Sequence, residues 1–225
     1  MRRAALVLFG VAAAAELAAV AADLTVLQWI AKPLLAPLLI WFLAGRRDLV
    51  TAGLACATAG DVALLVPGRL PFLIGMACFL GTQVGLLIAF LGAGRPKGAA
   101  VAGYVLLWAG LNALLWAHLG ALGGPILGYS MALAAMACAA TGVSARVGLG
   151  GALFLGSDLL IGAGAAGLDF PGRDVVVMAT YAAALALIAT GWAAVRASGP
   201  SASGPTAAQA QPTAQGASGG PAASR

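Results

Sequence analysis

Residues 46–69 read RRDLVTAGLACATAGDVALLVPGR, and this stretch decides the fold. Its centre, residues 49–66, is apolar apart from Asp61 and a few small hydroxyl and thiol side chains. Arg46, Arg47 and Asp48 precede it, and the turn Pro67-Gly68-Arg69 follows. At about 1.5 Å per residue, a helical run of this length approaches the ~30 Å hydrocarbon thickness of a bilayer. Charge at both borders and a single acid within is the pattern of a helix that crosses lipid.

The pattern recurs along the chain. Further apolar runs cover residues 4–22, 24–44, 70–92, 99–118, 125–141, 147–166 and 174–195. Short breaks at Asp23, Arg95-Pro96-Lys97, Gly123-Gly124-Pro125, Arg146 and Asp169-Phe170-Pro171-Gly172-Arg173 separate them. Of 225 residues, 62% are hydrophobic and 8% charged, with a mean hydropathy of +0.99. Soluble domains carry about 25% charged residues, so lipid has to be the solvent for most of this chain. The expected fold is all-α: a polytopic membrane bundle of about eight transmembrane helices over residues 1–196, multi-pass in the cell membrane. From residue 197 the composition turns to Ser, Gly, Pro, Ala and Gln, which predicts a disordered cytoplasmic tail over 197–225.

The net charge of +5 comes from basic residues placed singly or in pairs between the runs. Topogenic charges are distributed in this way, and no basic stripe exists to bind nucleic acid. Arg2, Arg3, Arg46, Arg47, Arg95, Lys97, Arg146 and Arg196 fall on one side of an up-and-down bundle, against Arg69 and Arg173 on the other. The asymmetry predicts that both termini face the cytoplasm. Met1-Arg2-Arg3 and the run behind it resemble a signal peptide, but the run is as long as a span and others follow closely, which favours a retained first helix. Cys56, Cys78 and Cys138 lie inside apolar runs without metal-type spacing and read as packing residues. Gly81 and Gly85, in GxxxG spacing, predict close helix–helix approach.

Three charged side chains stand inside runs: Lys32, Asp61 and Asp158. Each costs about 2.5–3.5 kcal/mol on insertion scales, so each calls for a partner, neutralisation or a wet cavity. Counted from the outer helix ends, all three sit roughly 7–12 Å below the membrane boundary. Asn112, Tyr129, Ser157 and Tyr181 fall near the same depth, and Gln83 lies somewhat deeper. Rare polar groups on independent helices therefore meet at one level, which describes a polar chamber. One reading is that Lys32 merely neutralises Asp61 or Asp158 and pins register. One ammonium does not balance two carboxylates, however, and a pair with one ionised and one protonated carboxyl is what acid–base chemistry uses. Pro33 and Pro37 should kink the second helix beside Lys32. His118, the single histidine, reads as an interfacial residue; no metal signature, P-loop or nucleophile elbow is present. Ala59-Gly60-Asp61-Val62 and Gly156-Ser157-Asp158-Leu159 each precede a Pro-Gly-Arg turn, the trace of a conceivable four-plus-four repeat.

Six short motifs in order carry a wider likeness. They are Lys32-Pro33-Leu34-Leu35, the run from Gly60-Asp61 to Leu65, Phe79-Leu80-Gly81, Tyr129, the run from Gly151 to Ser157-Asp158, and Thr180-Tyr181. In these the chain resembles the YhhN family of lysoplasmalogenase-like membrane proteins. The resemblance implies hydrolysis of the vinyl ether bond of a lysoplasmalogen or related lysophospholipid, with no metal or cofactor. Asp61 and Asp158 would be the acid–base pair and Lys32 their charged neighbour, while Asn112, Tyr129, Ser157, Tyr181 and Gln83 would contact substrate. The chain departs from the family at Gln83, Leu86 and Leu185, where members often carry His, an aromatic residue and Gln. The alternative use of the same buried groups is a small proton-coupled transporter or lipid-binding protein. A third is a structural protein whose buried charges only fix packing.

Overall fold

The computed structural model describes residues 1–44, 48–116, 123–165 and 167–198. Arg46, Arg47, His118 and residues 199–225, on which some expectations rest, lie outside them. The described residues form an all-α membrane bundle of eight helices: α1 (Arg2–Ala21), α2 (Thr25–Phe42), α3 (Leu49–Leu65), α4 (Arg69–Ala93), α5 (Gly98–Leu115), α6 (Gly123–Thr141), α7 (Ala145–Ala165) and α8 (Arg173–Ser198). Six of them are long and apolar enough to cross a membrane; α3 and the apolar part of α5 are shorter. With 17 residues, α3 sits at the lower limit of a spanning helix.

Neighbouring helices follow one another around a ring: α4, α3, α2, α1, α8, α7, α6 and back to α4. The helix left outside is α5, which packs on α6. The two most extensive contacts are α3 with α4 and α7 with α8. Lipid gives no hydrophobic drive for such contacts, so backbones must approach closely enough for dispersion to hold them. At α3–α4 this is visible in the glycines. A Cβ on Gly85 would stand 3.2 Å from the Leu49 carbonyl oxygen, and one on Gly60 only 2.8 Å from the Phe79 ring. The Thr82 hydroxyl adds a 3.0 Å bond to the Gly53 carbonyl.

The second helix is broken as its prolines demand. Residues Thr25–Ala31 and Leu35–Phe42 are α-helical, and a 3₁₀ turn over Lys32–Leu34 joins them. Pro33 and Pro37 lack the N–H that would continue the ladder. The break therefore lies at Lys32 itself. At the start of α3, Asp48 accepts from the Thr51 backbone N–H (3.0 Å), and its other oxygen takes the Trp192 indole N–H from α8 (2.9 Å). One cap thus ties the third helix to the last.

Candidate active site

Asp61 lies near the end of α3 and is 1% exposed. It accepts a 2.7 Å hydrogen bond from the Tyr181 hydroxyl of α8. The Tyr181 ring is fixed edge-on by Phe79 (centroids 5.9 Å apart) and Phe154 (5.5 Å), so three helices besides α3 set the phenol's position. Asp158 of α7 accepts a hydrogen bond from the Tyr129 hydroxyl of α6. The charges of both aspartates act on Tyr181, and that of Asp61 acts on Asp158. Two carboxyl–phenol pairs therefore form one electrostatic cluster in a low-dielectric interior, where such coupling is strong.

The cluster borders a cavity of about 140 Å³ between α4, α5, α6 and α7. Asp158, Tyr129, Asn112 and Ser130 supply polar groups to its lining, set among Leu64, Met76 and other apolar side chains. Asn112 donates to the Trp108 carbonyl (2.8 Å) and to Ser130 Oγ (3.2 Å), and the Trp108 indole N–H donates to the same Ser130 oxygen (3.1 Å). Trp108 and Ser130 escaped the sequence reading. Indole and serine are ordinary in spans, and only their convergence on Asn112 marks them.

Lys32 stands at the α2 break, half-buried. Its charge acts on Asp61 and on Glu16 of α1. It makes no ion pair within 4.0 Å among the described residues, so it acts at a distance rather than as a contact partner. Glu16 is a fourth intramembrane charge, which the sequence reading passed over inside an alanine-rich run. It is 1% exposed, with both carboxylate oxygens buried and, among the described residues, without a hydrogen-bond partner. Its charge reaches Asp61 as well. About five residues from the end of α1, it lies ~8 Å from that helix's terminus, the level worked out for the other three charges.

The remaining candidates divide. Asn112 and Tyr129 line the cavity. Ser157 is buried and donates to the Val177 carbonyl (3.1 Å), joining α7 to α8 away from the cavity lining. The Gln83 amide lies beside the Tyr129 phenol but, among the described residues, makes no hydrogen bond of ordinary geometry. Among the described residues no group of three His, Cys, Asp or Glu side chains is gathered as a metal site requires.

This arrangement can protonate, deprotonate and stabilise positive charge at one place next to an apolar chamber. Residues 27–192 match the YhhN family. Two curated relatives, from Mycobacterium bovis and Mycobacterium tuberculosis, each carry the name lysoplasmalogenase. Each is 35% identical over 162 residues, covering 65% of this chain and 60% of the relative. The chain thus spans about three fifths of the length of the curated relatives it matches. No solved structure matches it. Eight apolar helices, the paired carboxyl–phenol cluster and the match across its helices lead to one assignment: the chain belongs to the YhhN family.

Proposed function

We propose that this membrane protein is a lysoplasmalogenase-like hydrolase, cleaving the vinyl ether bond of a lysoplasmalogen or a related lysolipid. The observation that carries the reading is a pair of buried carboxyl–phenol contacts at one cavity: Asp158, bonded to Tyr129, lines it, and Phe79, which also lines it, holds the Tyr181 ring that bonds Asp61. Asp158 in its acid form gives a proton to the vinyl carbon remote from oxygen, and the ether oxygen shares the resulting positive charge. Asp61, nearer the Lys32 ammonium, carries the negative charge that stabilises this oxocarbenium-like ion, as in two-carboxylate glycosidases. Water adds to the cation and returns a proton to the Asp158 carboxylate. The hemiacetal then collapses to a fatty aldehyde and a free glycerol hydroxyl, so one water is consumed and both carboxyls are restored. Tyr129 and Tyr181 hold the carboxyls in place, and Asn112 and Gln83 offer amides toward the substrate's polar end. Ser157, bonded to the Val177 carbonyl, ties the α7 segment that carries Asp158 to α8.

The orientation proposed is both termini cytoplasmic, in the cell membrane. Arg69 and Arg173 are the two basic residues assigned to the opposite side, against eight on the first, which supports this orientation. The test of the function is aldehyde release from lysoplasmenyl lipid by detergent-purified protein, with Asp61→Asn and Asp158→Asn alongside. Release by the wild type, lost in both variants, is the expected result; no release from any vinyl ether lysolipid would sink the reading.

A further inference from the structure

Helix α5 is the loose member of the bundle. It packs on α6, and Gly98, Gly103 and Gly110 on it meet no neighbouring helix within 4 Å of where a Cβ would stand. Between α5 and α4, floored by α6, lies a second cavity of about 450 Å³. Its walls are hydrocarbon: Leu87 and Leu91 from α4, Val101 from α5 and Ala135 from α6, with Tyr104 and Cys138 the most polar side chains facing it. It adjoins the reaction site, because Trp108 and Ala134 line both cavities. The Trp108 indole, held by Ser130, stands where the two cavities meet.

The dimensions identify an occupant. From Tyr129, beside the carboxyls, to Ala139, at the far end of the slot, α6 advances ten residues, or ~15 Å. That is half of the ~30 Å hydrocarbon core, the length of the chains in one leaflet. We propose that the α4–α5 cavity is the slot for the single hydrocarbon chain of the lipid substrate. The chain's first carbons lie at Asp158, its end lies against Pro96 and Val101, and it is admitted sideways from the bilayer past α5. The proposal rests on the hydrolase reading for the identity of the chain's polar end. Leaving lipid for the slot brings no hydrophobic gain, so the slot selects by fit. A chain that overruns Pro96 is rejected, and a short one leaves dispersion contacts unmade.

The experiment uses the full chain in nanodiscs and a long-chain alkyl lysophospholipid carrying a diazirine near the chain terminus. Photolabel is expected on peptides spanning residues 87–104 and 135–139, and excess unlabelled long-chain alkyl lysolipid should compete it away. Ala135→Phe, which puts a ring into the slot, should abolish that labelling and lower the long-to-short chain ratio of hydrolysis about tenfold. If Ala135→Phe fails to fold, Leu91→Trp, on a lipid-exposed position of the same wall, serves instead. Label spread over outward residues such as Val7, Val26 and Leu106, without competition, overturns the slot. Absence of any vinyl ether hydrolysis with site-specific label intact overturns the hydrolase reading and leaves the slot standing.

Discussion

Tyr181 of α8 donates a 2.7 Å hydrogen bond to Asp61 of α3 across 120 residues of chain. Its ring is held by Phe79 and Phe154 whatever the hydroxyl does, so Tyr181→Phe removes the donor and keeps the packing. Hydrogen bonds to charged groups contribute about 1.5–3 kcal/mol, which is roughly tenfold to a hundredfold in rate if the bond matters in the transition state. Aldehyde release by Tyr181→Phe should fall by that factor with the fold retained. An unchanged kcat would mean that the phenol only packs.

Glu16 predicts the opposite kind of change. Among the described residues the buried Glu16 carboxyl has no hydrogen-bond partner, only the Lys32 charge at a distance, and leaving a carboxyl so costs about 1–3 kcal/mol of desolvation. Glu16→Met keeps the length and removes the polar atoms. Thermal unfolding in detergent should shift upward by several degrees; a downward shift would show that the carboxyl has a stabilising partner.

The cap at Asp48 gives a dependence on pH. Burial pushes its carboxyl up, but hydrogen bonds from Trp192 and Thr51, with Arg196 nearby, outweigh burial and hold it below the ordinary value of 3.8. A depressed folded value means that the stability is fully present above 3.8 and is lost as pH falls through the lower folded value. Removing an N-cap costs about 0.5–2 kcal/mol. Asp48→Ala should therefore unfold earlier than the wild type at neutral pH. The gap between their midpoints should close in strong acid, and a gap independent of pH would refute the assignment.

Gly60 tests how far packing sets the site. A methyl there would press on Phe79, which in turn touches Tyr181. Gly60→Ala should cost about 1–3 kcal/mol of stability by overpacking and reduce aldehyde release with it. Gly81→Ala meets the Cys56 side chain, its sulfur at 3.4 Å and its Cβ at 3.7 Å, and should be much milder. Equal effects at the two positions would argue against this chain of contacts.

Hydropathy alone placed the helices, because in lipid the length of an apolar run is itself the structural signal. Counting from a helix end gives depth, and that is how the sequence singles out Lys32, Asp61 and Asp158 as one set. Depth does not give direction around the helix. Ser157 and Asp158 share a level, yet adjacent residues point ~100° apart, so one bonds to α8 and the other lines the cavity. The same limit hid Trp108 and Ser130, and it hid the Asp48–Trp192 tie, whose partners are 144 residues apart. Glu16 was legible in principle, as an acid within an apolar run.

The Tyr181–Asp61 bond also has an order in time. Tyr181 is made 120 residues after its partner, roughly 6–24 seconds later at ordinary synthesis rates. Throughout that interval α3 carries an acid whose phenol partner does not yet exist. The charges that reach Asp61 from earlier in the chain are those of Lys32 and Glu16, both already synthesised. Of these two, Lys32 is the one of opposite sign, so it is the favourable charge already made when Asp61 is synthesised. A chain lacking it should be lost at insertion, while its ribosome is still at work, rather than in the finished protein.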